Sequence, residues 1–310
     1  MVKYMKYIQF SQELPQVSTL GIGCMRIASM DVQQAETFLK TGLDAGINFI
    51  DEADIYGAGR SEEVIGEVFA KDSSLRSRFF LQSKCGIRQD FFDFSKEYIL
   101  ESVDGILSRL HTDHLDSLLL HRPDVLMEPE EVAEALDILY TQGKVLSFGV
   151  SNMTSGHIEY LQSAMKQKLT VNQLQMSCVH TPVIDNLLHE DMEDALSVKH
   201  DSGILPYMQL HHMGLQVWSP LQKGYFEGVF LNDEKYAKLN ETLQEIADMY
   251  GVQKDVIAYA WLLRIPCSTQ VILGTTKPER LQNAAKAADI TLSRKDWYRI
   301  YTSVEGNQLP

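Results

Sequence analysis

Four side chains able to move a proton lie in the first half of the sequence: Asp51, Tyr56, Lys84 and His121. Asp51 ends the apolar run INFID, and Tyr56 follows five residues later in NFIDEADIYG. A tyrosine hydroxyl has a reference pKa of about 10, too high for easy proton exchange at neutral pH. A lysine ammonium beside the phenol oxygen favours the phenolate and lowers that value. Asp51 would neutralise and orient Lys84. His121 would hydrogen-bond a substrate oxygen or help Tyr56 pass its proton. Such a set makes a general acid for a carbonyl oxygen, needed where a cofactor delivers hydride to the carbonyl carbon. Singly, each residue has a plainer reading: Asp51 as a turn residue, His121 as a core histidine, Lys84 as a solvated strand end. Their coincidence at three successive strand ends favours chemistry. Lys84 also follows a nearly unbroken apolar strand, so its ammonium would be partly desolvated and would seek a carboxylate.

The elements that must position these groups alternate along the chain. Strands are predicted at 20–24, 47–51, 78–84, 115–121, 145–152, 169–175, 214–220 and 270–274, from short apolar or β-branched runs. Helices are predicted at 32–45, after Ser61 as N-cap, along the Ile99–Val103–Ile106–Leu107–Leu110 face, and at 130–142 and 155–165. Further helices are predicted near 186–198, 236–250, 253–264 and 278–287. About eight strand–helix units in residues 1–310, with no linker-like stretch, predict one domain. Its fold class is α/β, a (β/α)8 TIM barrel, with a doubly wound open sheet as runner-up. An N-terminal hairpin is predicted over 6–18, with Pro15 near its turn. An extra C-terminal helix is led by a Ser293–Asp296 capping box and carries Trp297 and Tyr298.

In such a barrel the strand C-termini share one face. Read in order, those ends carry Asp51 then Tyr56, Lys84, His121, Ser151–Asn152, Asn172 and Gln173, Trp218–Ser219–Pro220 and Gly274–Thr275–Thr276. A Rossmann site is not expected, because GIGCMR places Arg26 where GxGxxG needs its third glycine, and no Walker motif occurs. VILGTTKPERLQNA offers another anchor. Pro278 would open a helix whose free amides can receive a phosphate, with Lys277 and Arg280 adding positive charge. The alternative there is an ordinary loop with solvated cations. Trp218 would present a flat face to a nicotinamide ring, and Ser151, Asn152 and Gln173 are suited to hold its carboxamide.

Composition narrows the classes. A hydrophobic fraction of 45% permits a sizeable core. A net charge of −14 argues against general nucleic-acid binding. No apolar run approaches the roughly 20 residues of a membrane helix, and MVKYMKYIQFSQE lacks a secretory h-region. A cytoplasmic protein is expected, with no obligatory protein partner. Cys24, Cys85, Cys178 and Cys267 form no CxxC or zinc spacing and are expected to be reduced thiols. His111 with His114, and His211 with His212, lack further partners at ligand spacing, so no metal is expected.

The sequence resembles the aldo-keto reductases over nearly its whole length. GINFIDEADIYGAGRSEEVIGE (46–67) and LHTDHLDSLLLHRPD (110–124) look like the family's two signatures. FFLQSKCG, FGVSNMT, VNQLQMS, QVWSPL and VILGTTKPERL follow in the family's order. SKCGI, LLLHRPDVLMEPEEVAEAL and the YAWLLRIP to VILGT region look closest to a bacterial oxidoreductase branch. The resemblance implies a (β/α)8 carbonyl reductase preferring NADP(H), with NAD(H) open, acting on small aldehydes or ketones. It implies a tetrad of Asp51, Tyr56, Lys84 and His121, with Tyr56 as general acid. It places Ser151, Asn152 and Gln173 at the nicotinamide amide, Trp218 against the ring and Met25 nearby. Ser219, Pro220 and Leu221 would follow the pyrophosphate. Gly274, Thr275, Lys277 and Arg280 would take the 2′-phosphate end. Glu52 departs from the usual Thr or Ser, Gln175 from Glu, and Asn283–Ala284 from a Glu–Asn pair near the adenine. Because potassium-channel β subunits share fold and tetrad, a nicotinamide-binding sensor or regulatory subunit with little turnover is an alternative. A third is a phosphate-binding isomerase or aldolase in which Lys84 forms a Schiff base. Specificity would come from loops holding Arg26, Phe91, Phe92, Arg122, Tyr225 and Phe226. Arg122 points either to an anionic substrate or to an ion pair with Asp124.

Overall fold

The computed structural model describes residues 5–189, 195–196, 203–307 and 309. Eight parallel strands close into a barrel in chain order. Each strand is followed by helix, the alternation that requires parallel pairing with crossovers. β1 (Tyr7–Ile8) and β2 (Val17–Ser18) precede the barrel as an antiparallel hairpin pairing Tyr7 with Ser18 and Ile8 with Val17. Then come β3 (Leu20–Gly23), α1 (Val32–Asp44), β4 (Phe49–Asp51), α2 (Arg60–Lys71), α3 (Ser73–Arg76), β5 (Phe80–Cys85) and α4 (Lys96–Arg109). β6 (Ser117–Leu120), α5 (Pro129–Thr141), β7 (Phe148–Ser151), α6 (Ser155–Gln162) and β8 (Leu169–Gln175) follow. The last third holds α7 (Pro182–Leu188), α8 (Ile204–Leu210), β9 (Gly214–Trp218), α9 (Ala237–Tyr250), α10 (Lys254–Leu263), β10 (Thr269–Leu273), α11 (Pro278–Ala284) and α12 (Arg294–Thr302). Among the described residues no helix is long and apolar enough to cross a membrane.

The predicted barrel, hairpin and C-terminal helix are all present, with differences at the ends of elements. His121, Asn152, Ser219 and Pro220 lie just past the last paired residues of their strands. Asn152 and Ser219 have φ of 57° and 53°, a left-handed conformation that stops a strand. The N-cap of α2 is Gly59, not Ser61, which sits inside the first turn. Ser293 does cap α12, accepting from the Asp296 amide. Of the helix predicted near 186–198, α7 reaches Leu188, and 190–194 and 197–198 lie outside the described residues.

The barrel interior is layered by the two-residue period of a strand. Phe49, Phe80, Leu119, Val171 and Ile272 form an apolar cluster with Phe10, Leu14 and Val17 of the hairpin segment. Phe49 and Phe80 stack with centroids 5.2 Å apart. Gly214 lets the hairpin approach, since a Cβ there would lie 2.3 Å from the Phe10 ring. Two residues onward along β5 comes Gln82, then Lys84. The equivalent steps on β8 give Val171, Gln173 and Gln175. The helices bury their apolar stripes in a second, larger core around the barrel.

Candidate active site

Asp51 is the last residue of β4, Lys84 lies in β5, and His121 follows β6. The chain turns tightly after Asp51 to return Tyr56 over the barrel mouth. Gly57 is required in this turn: its φ is +59° and a Cβ would lie 2.5 Å from that of Ala28. Lys84 is fully buried. Its Nζ lies 2.8 Å from Asp51 Oδ1 and donates to the Tyr56 hydroxyl at 3.1 Å and the Glu52 carbonyl at 2.9 Å. The Tyr56 and His121 rings meet edge-on at 6.1 Å and both keep part of their surface open. The four residues from four segments therefore meet at one place.

The expected acidification of Tyr56 is not what this environment does. Burial pushes the phenol up to about 12, Lys84 pulls against it, and Asp51 and Glu52 add to the rise. Desolvation of the phenolate outweighs a single cation that is already neutralised by Asp51. Burial pulls the Lys84 ammonium down, but Asp51 and then Tyr56 more than offset this, leaving it raised. Burial, with the Lys84 and Arg122 charges, holds His121 well below 6.5. At neutral pH the site thus contains a phenol, an ammonium, a carboxylate and an uncharged imidazole.

Glu52 is a fifth ionisable group beside them, fully buried. Burial, followed by the Glu62 charge, raises its carboxyl well above the usual range. The Ser61 hydroxyl lies 2.8 Å from both Glu52 Oε1 and the Cys24 carbonyl. One hydroxyl hydrogen cannot serve two acceptors, so a proton on Glu52 donating to Ser61 completes the chain. The misread cap is explained here: Ser61 faces inward and spends its hydroxyl on the floor of the catalytic turn.

Beneath Asp51 runs a layer of amides that the strand-end reading missed. Gln82 and Gln173 both donate to Asp51 Oδ1, at 2.7 and 2.9 Å. Gln216 links Gln82, Gln173 and Gln270, and Gln270 donates to the Ser18 carbonyl. Counting back two residues from Lys84 and from Trp218 would have found Gln82 and Gln216.

Of the residues expected at a nicotinamide, Asn152 and Trp218 line a cavity at the barrel mouth, and Ser151 and Gln173 are buried. Ser151 donates to the Gln173 carbonyl and accepts from Asn152, whose Oδ1 receives the Trp218 indole N–H at 3.1 Å. Trp218 is thereby fixed as a wall. The Gln173 Nε2 is turned inward to Asp51 and Gln216, leaving less of that amide for a ligand than expected. Met25 is exposed at the rim. Ser219, Pro220 and Leu221 follow β9. Gly274, Lys277 and Arg280 are exposed after β10, with Thr275 half-buried between them. Asn283 is committed to Gln253 and Asp255, and Ala284 is buried. Asp124 accepts from the Phe94 and Leu126 amides, and no ion pair joins it to Arg122. Among the described residues no group of three His, Cys, Asp or Glu side chains is arranged to hold a metal.

Known proteins share this arrangement of strands and much of the sequence. A sequence model of the Aldo/keto reductase family matches residues 19–305. Oxidoreductase YdhF of Escherichia coli is 32% identical, with 98% of this chain and 99% of that protein covered. A 6-dehydroglucose reductase of Agrobacterium fabrum is 33% identical over 98% of this chain and all of the relative (100%). The crystal structure of an aldo-keto reductase from Klebsiella pneumoniae in complex with NADPH superposes with a TM-score of 0.77 at 25% identity, covering 97% of this chain and 94% of that one. The chain belongs to the aldo/keto reductase family.

Proposed function

We propose that this protein is an NADPH-dependent reductase of small aldehydes and ketones in which Tyr56 is the general acid. The observation that carries the reading is the Tyr56 hydroxyl held 3.1 Å from a buried ammonium that is itself paired with Asp51. A phenol raised to about 12 keeps its proton at neutral pH and has it to give. As the carbonyl oxygen gains negative charge, Lys84 stabilises both that oxygen and the phenolate left behind. Neutral His121 has one N–H to donate to the same oxygen. Asp51, fixed by Gln82, Gln173 and Lys84, keeps the ammonium in place.

The residues present fit a nicotinamide dinucleotide on two observations. The Gln175 Nε2 is buried without a partner on the wall that Trp218 and Asn152 form. Lys277 and Arg280 stand exposed beside Gly274, around which a Cβ would find open space. Ser151, Asn152 and Gln173 would hold the carboxamide, Trp218 the ring face, and Met25 its outer edge. Ser219, Pro220 and Leu221 would take the pyrophosphate, and Gly274, Thr275, Lys277 and Arg280 the 2′-phosphate. When bound, the cofactor supplies the hydride. The NADPH carried by the Klebsiella pneumoniae relative supports this assignment.

Purified protein mixed with NADPH and a panel of aldehydes, followed by nicotinamide absorbance, tests the reading. Tyr56→Phe should lose about 10²- to 10⁴-fold in kcat while still binding NADPH. Undiminished turnover in Tyr56→Phe would refute the acid assignment, and absence of NADPH binding would sink the reading as a whole. Tight NADPH binding with no turnover of any carbonyl would favour the sensor instead.

A further inference from the structure

The cavity bordered by Ile55, Arg122, Asn152 and Trp218 has a volume of about 860 Å³. Its walls are largely apolar, with Ile55, Ile87, Phe92, Leu174 and Tyr225 among them, and among the described residues no Asp or Glu lines it. Arg122 does. The Arg122 guanidinium lies 5.6 Å from the Trp218 ring centroid and 5.7 Å from that of Tyr225. No carboxylate or carbonyl among the described residues accepts from it. Its one nearby candidate, Asp124, is spent on two backbone amides.

Charge around the cavity then sums simply. Lys84 and Asp51 cancel, Tyr56 and His121 are neutral, and Glu52 holds its proton. Among the described residues that line the cavity, Arg122 carries the one permanent charge, in a chain whose net charge is −14. A guanidinium keeps its charge at any ordinary pH and offers five N–H donors in a planar fork matched to a carboxylate. Cation–π contact with Trp218 and Tyr225 holds the guanidinium in place without consuming its N–H donors. The Arg122 charge is close enough to act on both His121 and Tyr56, which places an anion on the fork and a carbonyl at Tyr56 within reach of one small molecule.

We infer that Arg122 is a substrate-binding residue for a carboxylate, and that the preferred substrates are small aldehydes or ketones carrying a carboxylate a few bonds from the carbonyl. Burial lowers the affinity of the guanidinium for its own proton, and a bound anion would relieve that cost. The inference rests on the reductase reading above.

The test uses the full chain saturated with NADPH, with 4-carboxybenzaldehyde and benzaldehyde as paired probes. The wild type should prefer the carboxylate. Arg122→Gln should lower the ratio of kcat/KM, carboxylate over neutral, by about ten- to hundredfold, the range for a lost charge-assisted hydrogen bond. Arg122→Lys should retain part of the ratio, keeping the charge but not the fork. A wild-type ratio of one or less, or a ratio unchanged by Arg122→Gln, overturns the inference. So does a loss of NADPH affinity as large as the loss for the carboxylate, which would assign Arg122 to the cofactor. A binding measurement separates this idea from the reductase reading. 4-(Hydroxymethyl)benzoate and benzyl alcohol are titrated calorimetrically into NADP⁺-loaded protein. Arg122-dependent preference for the carboxylate without turnover upholds the anion site and sinks the reductase. Turnover of both aldehydes without that preference does the reverse.

Discussion

Along β5, Phe80 packs in the apolar floor of the barrel, Gln82 sits in a hydrogen-bonded layer above it, and Lys84 brings a buried charge to the mouth. The floor is closed by Phe10, Leu14 and Val17 from the hairpin, packed with the strand side chains in one apolar cluster. The mouth holds Asp51, Glu52 and Lys84 at near-zero exposure, each with a desolvation cost to offset. The same strand thus carries stability at one end and an expensive polar arrangement at the other. The amide layer between them is what lets both exist. It supplies Asp51 with two neutral donors besides Lys84, so the carboxylate does not depend on one partner.

The largest effect is expected at the mouth. Lys84→Met removes the cation and leaves Asp51 buried opposite an apolar side chain. Breaking a buried pair on one side costs about 3–5 kcal/mol, and turnover should fall with it. Adding Asp51→Asn removes the stranded charge, so the double variant should regain most of the stability and none of the activity. Denaturant unfolding and aldehyde turnover, measured on the same samples, report the two quantities. A stable Lys84→Met would mean the pair is not buried as described.

At the floor the outcome should split the other way. Phe80→Ala empties the stack with Phe49 and should cost about 3–5 kcal/mol. At temperatures where the variant is folded, kcat should stay within about twofold of wild type, because the amide layer separates the floor from Lys84. A matching loss of kcat in fully folded protein would show that the floor positions the site and would dissolve the contrast.

This layering also explains which parts were legible in the sequence. The barrel was readable because eight short apolar runs alternate with helical stripes. Asp51, Lys84, His121 and Trp218 stood out because each interrupts or ends such a run. Gln82, Gln216 and Gln270 were overlooked because a polar residue inside a strand looks like an outward-facing one until the barrel closes around it. Ser61 followed by Glu62 and Glu63 has the composition of a helix start, yet three-dimensional packing turned Ser61 inward to Glu52. The direction of the Tyr56 shift was misjudged for a related reason. The neighbours of Tyr56 can be guessed from spacing, but how far a phenolate would be desolvated depends on the closed cavity.

A smaller effect is expected on the pH dependence of turnover. Tyr56 titrates near 12, His121 well below 6.5, and Lys84 above its ordinary value. None of these three groups changes protonation between pH 7 and 9, so kcat/KM for a neutral aldehyde should be level there within about twofold. A sigmoidal rise or fall centred in that window would show that a bound dinucleotide has moved Tyr56 or His121 into it.

The smallest expected effect falls on Glu52, at the boundary between the two regions. Its carboxyl is raised by burial, so the folded protein holds a proton that the unfolded chain has released above about pH 4.5. The unfolded state therefore binds fewer protons, and stability declines as pH rises from that value toward the folded pKa. Glu52→Gln keeps the shape and the hydrogen bond with Ser61 and removes the titration. Its Tm should equal wild type near pH 4.5 and exceed it increasingly toward pH 8. About 1 kcal/mol moves Tm by roughly 2–4 °C in a chain of this size, so a gap of a few degrees is measurable. Turnover should change less than in any tetrad variant, since Glu52 meets Lys84 through its backbone carbonyl and not its carboxyl. A gap that shrinks with rising pH would mean that Glu52 is ionised in the folded protein. The Ser61 hydroxyl would then have to be shared between two acceptors, and the mouth would carry a second buried negative charge against Lys84.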